Sequence, residues 1–285
     1  MAPLMELLVG NLPAWPVDEL ITPDFLSVPW QMVVPVDEPG EEKAMREGTW
    51  LAIAGRFRQS VEILDRLLTL HPGHPGALVA KASSLSRMGF YQEAIRSCEE
   101  ASGRDPLNTE AWFIRGSVLY MTGRWTEAIP CLDRATAIDP AYAEAWYILG
   151  NCQYYLGNYD DALSSYDTVL ALDPLLPKAW YNRGVTFADV HRYEEALRNY
   201  EECVRINPGV AVVYTNMGVA LAGLGRFEEA IDKFDMAIGI NPHDPTPWNN
   251  RAASLHRLGR EEEARACAAK VRELTRGREM PWIIR

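Results

Sequence analysis

The chain is poor in the residues that usually carry chemistry: its 285 residues include only five histidines and five cysteines. Cys98, Cys131, Cys152, Cys203 and Cys267 form no CxxC and no paired spacing, which excludes a disulfide framework and fits a reducing, cytoplasmic compartment. His71 and His74 flank Pro72 and Gly73, an isolated pair expected to be solvated, so no metal and no cofactor are expected. Gly-rich phosphate loops, HExxH and GxSxG are all missing, which argues against an enzyme. Basic residues are outnumbered, 28 against 39 acids for a net charge of -11, and no Lys/Arg stripe exists, so nucleic acid is not the expected partner. No apolar run approaches a membrane span, and Met1 to Gly10 lacks a basic start and contains Glu6, a poor signal peptide.

What the chain does have is a period. Pro72, Pro106, Pro140, Pro174, Pro208 and Pro242 recur every 34 residues. Trp112, Trp146, Trp180, Tyr214 and Trp248 keep the same phase, as do Ala94, Ala128, Ala162, Ala196, Ala230 and Ala264. Within each period, apolar residues at helical spacing flank a short turn carrying Gly89, Gly123, Gly157, Gly225 or Gly259, which predicts two antiparallel helices. His191 holds that turn position in the fifth period, where it must adopt a left-handed conformation at a small loss of stability. Asp105, Asp139, Asp173, Asn207 and Asn241 precede the prolines, which push that site out of the helical region and so end the second helix.

One full unit reads Trp146, Gly150, Gly157, Tyr159, Ala162, Tyr166, Pro174, and the next reads Trp180, Gly184, Tyr193, Ala196, Tyr200, Pro208. This pattern resembles the tetratricopeptide repeat. The resemblance implies an all-α, right-handed superhelical solenoid of about seven helix-turn-helix units, over 41–74, 75–108, 109–142, 143–176, 177–210, 211–244 and 245–278. Small alanines let the paired helices approach, and the tryptophans are expected to pack between units.

Residues 1–40 differ from the rest. They hold seven prolines and six acids, no Lys or Arg, and apolar residues including Trp15, Phe25 and Trp30, which is not the composition of a solvated linker. Two readings stand: the segment caps the first unit, or it lies in the groove of the solenoid. Seven units at about 10 Å each give roughly 70 Å, and forty extended residues reach about 130 Å. At the other end Arg276 replaces the closing Pro, the last helix is polar as suits a cap, and 279–285 form a short apolar tail.

In the tetratricopeptide family the first helix of each unit lines the concave face, and the resemblance therefore assigns candidate groove residues here. Asn182, Asn216 and Asn250 share one register, with Asn249 adjacent and Asn151 in the unit before. The ladder is similar to that of the superhelical arm of the O-linked N-acetylglucosamine transferase, where Asn amides hold a peptide backbone. An amide offers donor and acceptor to any peptide unit, each bond contributing about 1 kcal/mol net. The same register places Phe113, Tyr120, Tyr147, Tyr154, Tyr155 and Tyr181 inside, with Glu110, Glu144 and Asp189 as acids and Lys178 as the main opposing charge. The family's clamp for chaperone C-terminal carboxylates is not matched, because Tyr147, Val212 and Asn216 stand where its cations should be.

Two functions follow as expectations. One is a non-catalytic adaptor that binds an extended, neutral to basic peptide in the groove. The other is a structural or self-assembling scaffold, a homodimer included, whose groove is filled by its own or a neighbour's first segment.

Overall fold

The computed structural model describes residues 40–275, which form fourteen helices and, among the described residues, no strand. The helices are α1 Gly40–Ile53, α2 Phe57–Leu70, α3 Pro75–Arg87, α4 Tyr91–Arg104, α5 Thr109–Met121, α6 Trp125–Ile138, α7 Ala143–Tyr155, α8 Tyr159–Leu172, α9 Pro177–Asp189, α10 Tyr193–Ile206, α11 Ala211–Gly223, α12 Phe227–Ile240, α13 Pro245–Arg257 and α14 Glu261–Leu274. They fall into two compact units, 40–172 and 173–275. In each unit consecutive helices pack as hairpins, each hairpin's second helix against the first helix of the next. The expectations for residues 1–39, for Arg276 and for the 279–285 tail lie outside the described residues.

Every hairpin turn rests on one residue at positive φ. Gly55, Gly89, Gly123, Gly157, Gly225 and Gly259 lie at φ 73–82°, and His191 takes the same place at φ 60°. Glycine adopts this conformation without a Cβ clash, whereas His191 adopts it with its Nδ1 2.8 Å from the Tyr193 hydroxyl. The residue after the turn opens the second helix. Arg124, Arg192, Arg226 and Arg260 each donate to the carboxylate three residues on, Glu127, Glu195, Glu229 and Glu263. These acids sit at the positive end of the helix, where negative charge is favoured.

Second helices end two residues before the repeat proline. The residue between leaves the helical region: Asp105, Asp139 and Asn207 have φ from -125° to -134° and ψ near 90°. Its side chain then accepts from the backbone N–H two residues on, as Asp105 Oδ1 does from Leu107 at 3.1 Å and Asp173 Oδ1 from Leu175 at 3.0 Å. The repeat tryptophans close the same corner, with Trp112, Trp146, Trp180 and Trp248 each donating Nε1–H to the proline carbonyl six residues back. They are thus half-buried corner braces as well as packing groups. His74 is not simply solvated: it caps α3, its Nδ1 accepting from the Ala77 N–H at 3.1 Å.

The hairpins close on small residues. Ala94, Ala128, Ala162, Ala196 and Ala230 are fully buried. Across from them, Gly184 of α9 meets the Tyr200 ring and Gly218 of α11 meets Phe234, so that a Cβ at Gly218 would stand 2.7 Å from Phe234 Cδ1. Tyr166, Tyr200 and Phe234 fill the hairpin cores with almost no exposure. Neighbouring hairpins in 40–172 are tied by Lys81 to Asp65 at 2.6 Å and Arg115 to Glu99 at 2.7 Å, and in 173–275 by Arg251 to Asp235 at 2.7 Å. At the same register in α7 stands Leu149, and Asp133 opposite has its carboxyl pKa raised by desolvation.

The five cysteines are buried and free. Burial pushes the thiols of Cys98, Cys152 and Cys203 up to about 12, so they behave as small apolar core residues. Among the described residues no helix is long and apolar enough to cross a membrane, and no cluster of three or more His, Cys, Asp or Glu is placed to hold a metal ion.

Candidate functional site

The first helices of the hairpins carry the candidate residues, and the structure separates those that face solvent from those that do not. In 40–172, Asn151, Tyr120 and Tyr147 are buried, whereas Tyr154, Tyr155 and Glu144 are half-buried and Glu110 is exposed. In 173–275, Tyr181, Asn216 and Asn250 are buried, and Asn182, Asn249 and Lys178 are half-buried.

Burial changes what the asparagines can do. Asn151 accepts, through Oδ1, a 2.7 Å hydrogen bond from the Tyr166 hydroxyl. Asn216 donates from Nδ2 to the Tyr181 hydroxyl at 3.0 Å, linking α11 to α9. With 3% and 1% of their surfaces accessible, these two amides serve the interior and cannot reach an external peptide in this conformation. Asn250, at 7%, is nearly as closed. Only Asn182 and Asn249 of the ladder retain appreciable surface. The physical reason differs by residue: Asn216 is closed by the neighbouring first helix, whose Tyr181 reaches it, whereas Asn151 is closed by Tyr166 on the second helix of its own hairpin.

The tyrosines behave as a network. Tyr155 stacks on Trp125 with ring centroids 4.7 Å apart and meets Tyr154 edge-on at 5.5 Å and Tyr120 at 6.2 Å. The Tyr120 hydroxyl is hydrogen-bonded to Tyr155, and burial raises the pKa of both. Tyr154 also approaches Tyr159 of α8 at 5.9 Å. Tyr154 and Tyr155 therefore form the partly open lip of a packed aromatic cluster, prealigned by rings beneath them.

A second group gathers at the start of the first helices of hairpins three and four. Phe113 of α5 and Tyr142, the residue before α7, lie 4.6 Å apart by ring centroid. Around them stand Glu110 of α5 and Glu144 of α7, whose negative charges contribute, after burial, to raising the Tyr142 pKa. Glu110 is exposed in surface area, yet protein surrounds it sufficiently that desolvation raises its carboxyl above the ordinary value. Sequence reasoning named Phe113, Glu110 and Glu144 but missed Tyr142, which sits at the last position of its period. Of its equivalents, His74, Asn108 and Asp244 cap the next helix through their side chains, whereas Tyr142, like Leu176 and Val210, does not; among these three Tyr142 alone is aromatic, and that was the available signal.

Within each unit, helical hairpins of constant length, stacked second helix to first and closed at each turn by one left-handed residue, define a helical-repeat protein. Profiles described as tetratricopeptide repeat match residues 79–143, then 143–174, 177–210 and 211–244, and finally 245–270. The chain belongs to the tetratricopeptide repeat family. Among solved structures it is similar to MamA, at 25% identity and a TM-score of 0.57, over 59% of this chain and 92% of that one. A MamA structure from Desulfovibrio magneticus, running from its residue 41 to the end, matches at 24% identity and a TM-score of 0.58 over 60% and 97% of the two chains. YrrB, described as a TPR protein with an unusual peptide-binding site, matches at 17% identity and a TM-score of 0.57 over 64% and 94%, a likeness of fold. The repeats support a protein-interaction adaptor or scaffold, and these neighbours share the fold.

Proposed function

We propose that the chain is a non-catalytic adaptor that binds an extended peptide along the first-helix face, with a basic side chain of the peptide seated at Glu110, Glu144, Phe113 and Tyr142. The observation that carries this reading is the partly desolvated, accessible Glu110 beside the Phe113–Tyr142 ring pair. A guanidinium or ammonium there gains two carboxylates and an aromatic face, and weaker hydration makes the guanidinium the better fit. Tyr154 and Tyr155 supply apolar contact further along α7; in 173–275, taken by itself, Asn182, Asn249 and Lys178 are the candidate polar contacts that keep surface. The buried Asn151, Tyr120 and Tyr147 support the first-helix face of 40–172 from below, and the buried Asn216, Asn250 and Tyr181 that of 173–275.

An arrayed library of extended peptides, read by fluorescence polarisation, tests the proposal. Peptides with Arg or Lys are expected to be selected, with affinity that falls as salt is raised. The double variant Glu110→Gln, Glu144→Gln is expected to weaken them by about tenfold, near 1.4 kcal/mol. Selection of neutral or acidic peptides, or unchanged affinity in the double variant, overturns the basic-peptide reading.

A further inference from the structure

One face of the first described helix stands apart from its counterparts. Trp50 of α1 occupies the register of Ser84, Val118, Cys152, Thr186, Ala220 and Ser254 in the later repeats. All six of those are buried, whereas Trp50 is 52% exposed and Ile53, one turn on, is 45% exposed. What covers this register elsewhere is visible at Ser84, whose hydroxyl lies 3.0 Å from that of Ser60 on the second helix of the preceding hairpin. The face of α1 bearing Trp50 is therefore the docking face of a first helix, with the largest side chain of the series placed where the preceding hairpin would press. Lys43 and Arg46, both exposed, lie on the same face, seven and four residues before Trp50. In the next two repeats the Lys43 register holds buried Ala77 and Ala111.

The sequence ahead of this helix has the complementary character. Phe25 to Val36, FLSVPWQMVVPV, is an uncharged and largely apolar run, bracketed by Asp24 on one side and Asp37 and Glu38 on the other. Residues 1–39 carry six acids and no Lys or Arg, whereas residues 40–90 hold seven Lys/Arg against five Asp/Glu in a chain of net charge -11. Geometry permits contact: ten helical residues place Trp50 about 15 Å from Gly40, and the ten residues from Trp30 to Gly40 span up to about 33 Å when extended.

We propose that residues 25–36 dock on the Trp50–Ile53 face of α1, taking the place of a preceding second helix, with Trp30 against Trp50 and the bracketing acids near Lys43 and Arg46. The repeat array is then closed at this end by its own chain. A terminal repeat with an uncovered apolar face is a site of self-association, so this contact also decides whether the face is offered to another copy.

The test is photocrosslinking in the full chain, with p-benzoylphenylalanine replacing Trp50 and equal amounts of unlabelled and 15N-labelled protein mixed before irradiation. The expected products are same-isotope crosslinks within one chain, mapping by mass spectrometry to residues 25–36. Mixed-isotope products would assign the face to a second copy and overturn the proposal, as would crosslinks confined to other residues or none at all. In the same background, Trp30→Ser with Val33→Ser, which leaves every described helix untouched, is expected to reduce the crosslink yield severalfold; an unchanged yield also overturns the proposal.

Discussion

Two glycines in one helical hairpin should respond to the same substitution with opposite signs. Gly218 lies inside α11, and a Cβ built there stands 2.7 Å from both Cδ1 and Cζ of Phe234, a ring with no exposure of its own. Gly239 lies in α12 with nothing within 4 Å and is exposed. Replacing glycine by alanine in a helix favours folding by about 0.5–1 kcal/mol, chiefly through the unfolded state. Gly239→Ala should keep that gain. Gly218→Ala must also displace a buried ring, and overpacking of this kind costs about 1–3 kcal/mol, leaving the variant about 1–2 kcal/mol less stable than the parent. Near 2–4 °C per kcal/mol for a chain of this size, the two variants should differ by roughly 4–10 °C in thermal midpoint. Calorimetry and urea unfolding, followed by helical circular dichroism in the full chain, read the difference. Because repeat arrays can unfold in parts, the comparison should use the transition that both variants share. Adding Phe234→Leu should recover part of the Gly218→Ala loss, giving a favourable coupling of about 1 kcal/mol in the double-mutant cycle. If Gly218→Ala proves as stable as Gly239→Ala, or the coupling is absent, close ring approach is not what holds Gly218.

Four further outcomes follow from the same structure. Tyr166→Phe removes the hydroxyl that Asn151 Oδ1 accepts from in a buried site, and should lower stability by about 1–2 kcal/mol in urea unfolding with helical content retained. Pro130, exposed inside α6, cannot donate to the carbonyl four residues back, so Pro130→Ala should raise the midpoint by the equivalent of about 1–2 kcal/mol. Hydrogen bonds from the neighbouring arginines hold the carboxyls of Glu127, Glu195, Glu229 and Glu263 below the ordinary value. Their contribution is present above the unfolded carboxylate pKa and is lost as pH falls through the lowered one, so a pH series of urea midpoints should decline there and decline less in Arg226→Gln. Glu110 shifts the other way: its raised pKa predicts that affinity for an arginine-containing peptide falls, on acidification, at a higher pH than for an ordinary carboxylate, a dependence that Glu110→Gln should abolish.

The repeat was legible because each conformational demand has a single cheap solution. A left-handed turn asks for glycine, a helix stop for proline with Asp or Asn before it, and a close helix pair for alanine, and these recur in phase from Gly55 to Gly259. Even His191 could be read as a left-handed residue from its register alone, and its φ of 60° bears this out. The candidate surface was less legible, for a reason visible at Asn182, Asn216 and Asn250. They share one register, but only Asn182 is appreciably open to solvent, because exposure depends on how closely the neighbouring first helix approaches and on what its side chains reach. Tyr181 reaches across to Asn216 and closes it in. Periodicity specifies the face of the helix, and the depth of a residue on that face is a property of two helices at once. The same argument explains Tyr142, whose ring enters the candidate site only because Phe113, twenty-nine positions earlier, lies across from it. It explains Trp50 as well: its register is a buried one in six later repeats and an exposed one in the first, and no inspection of α1 by itself distinguishes the two. Recognition by a repeat protein is therefore written in differences between successive units, at the few positions where a residue departs from its counterparts in size, charge or partner, and those are the positions to mutate first.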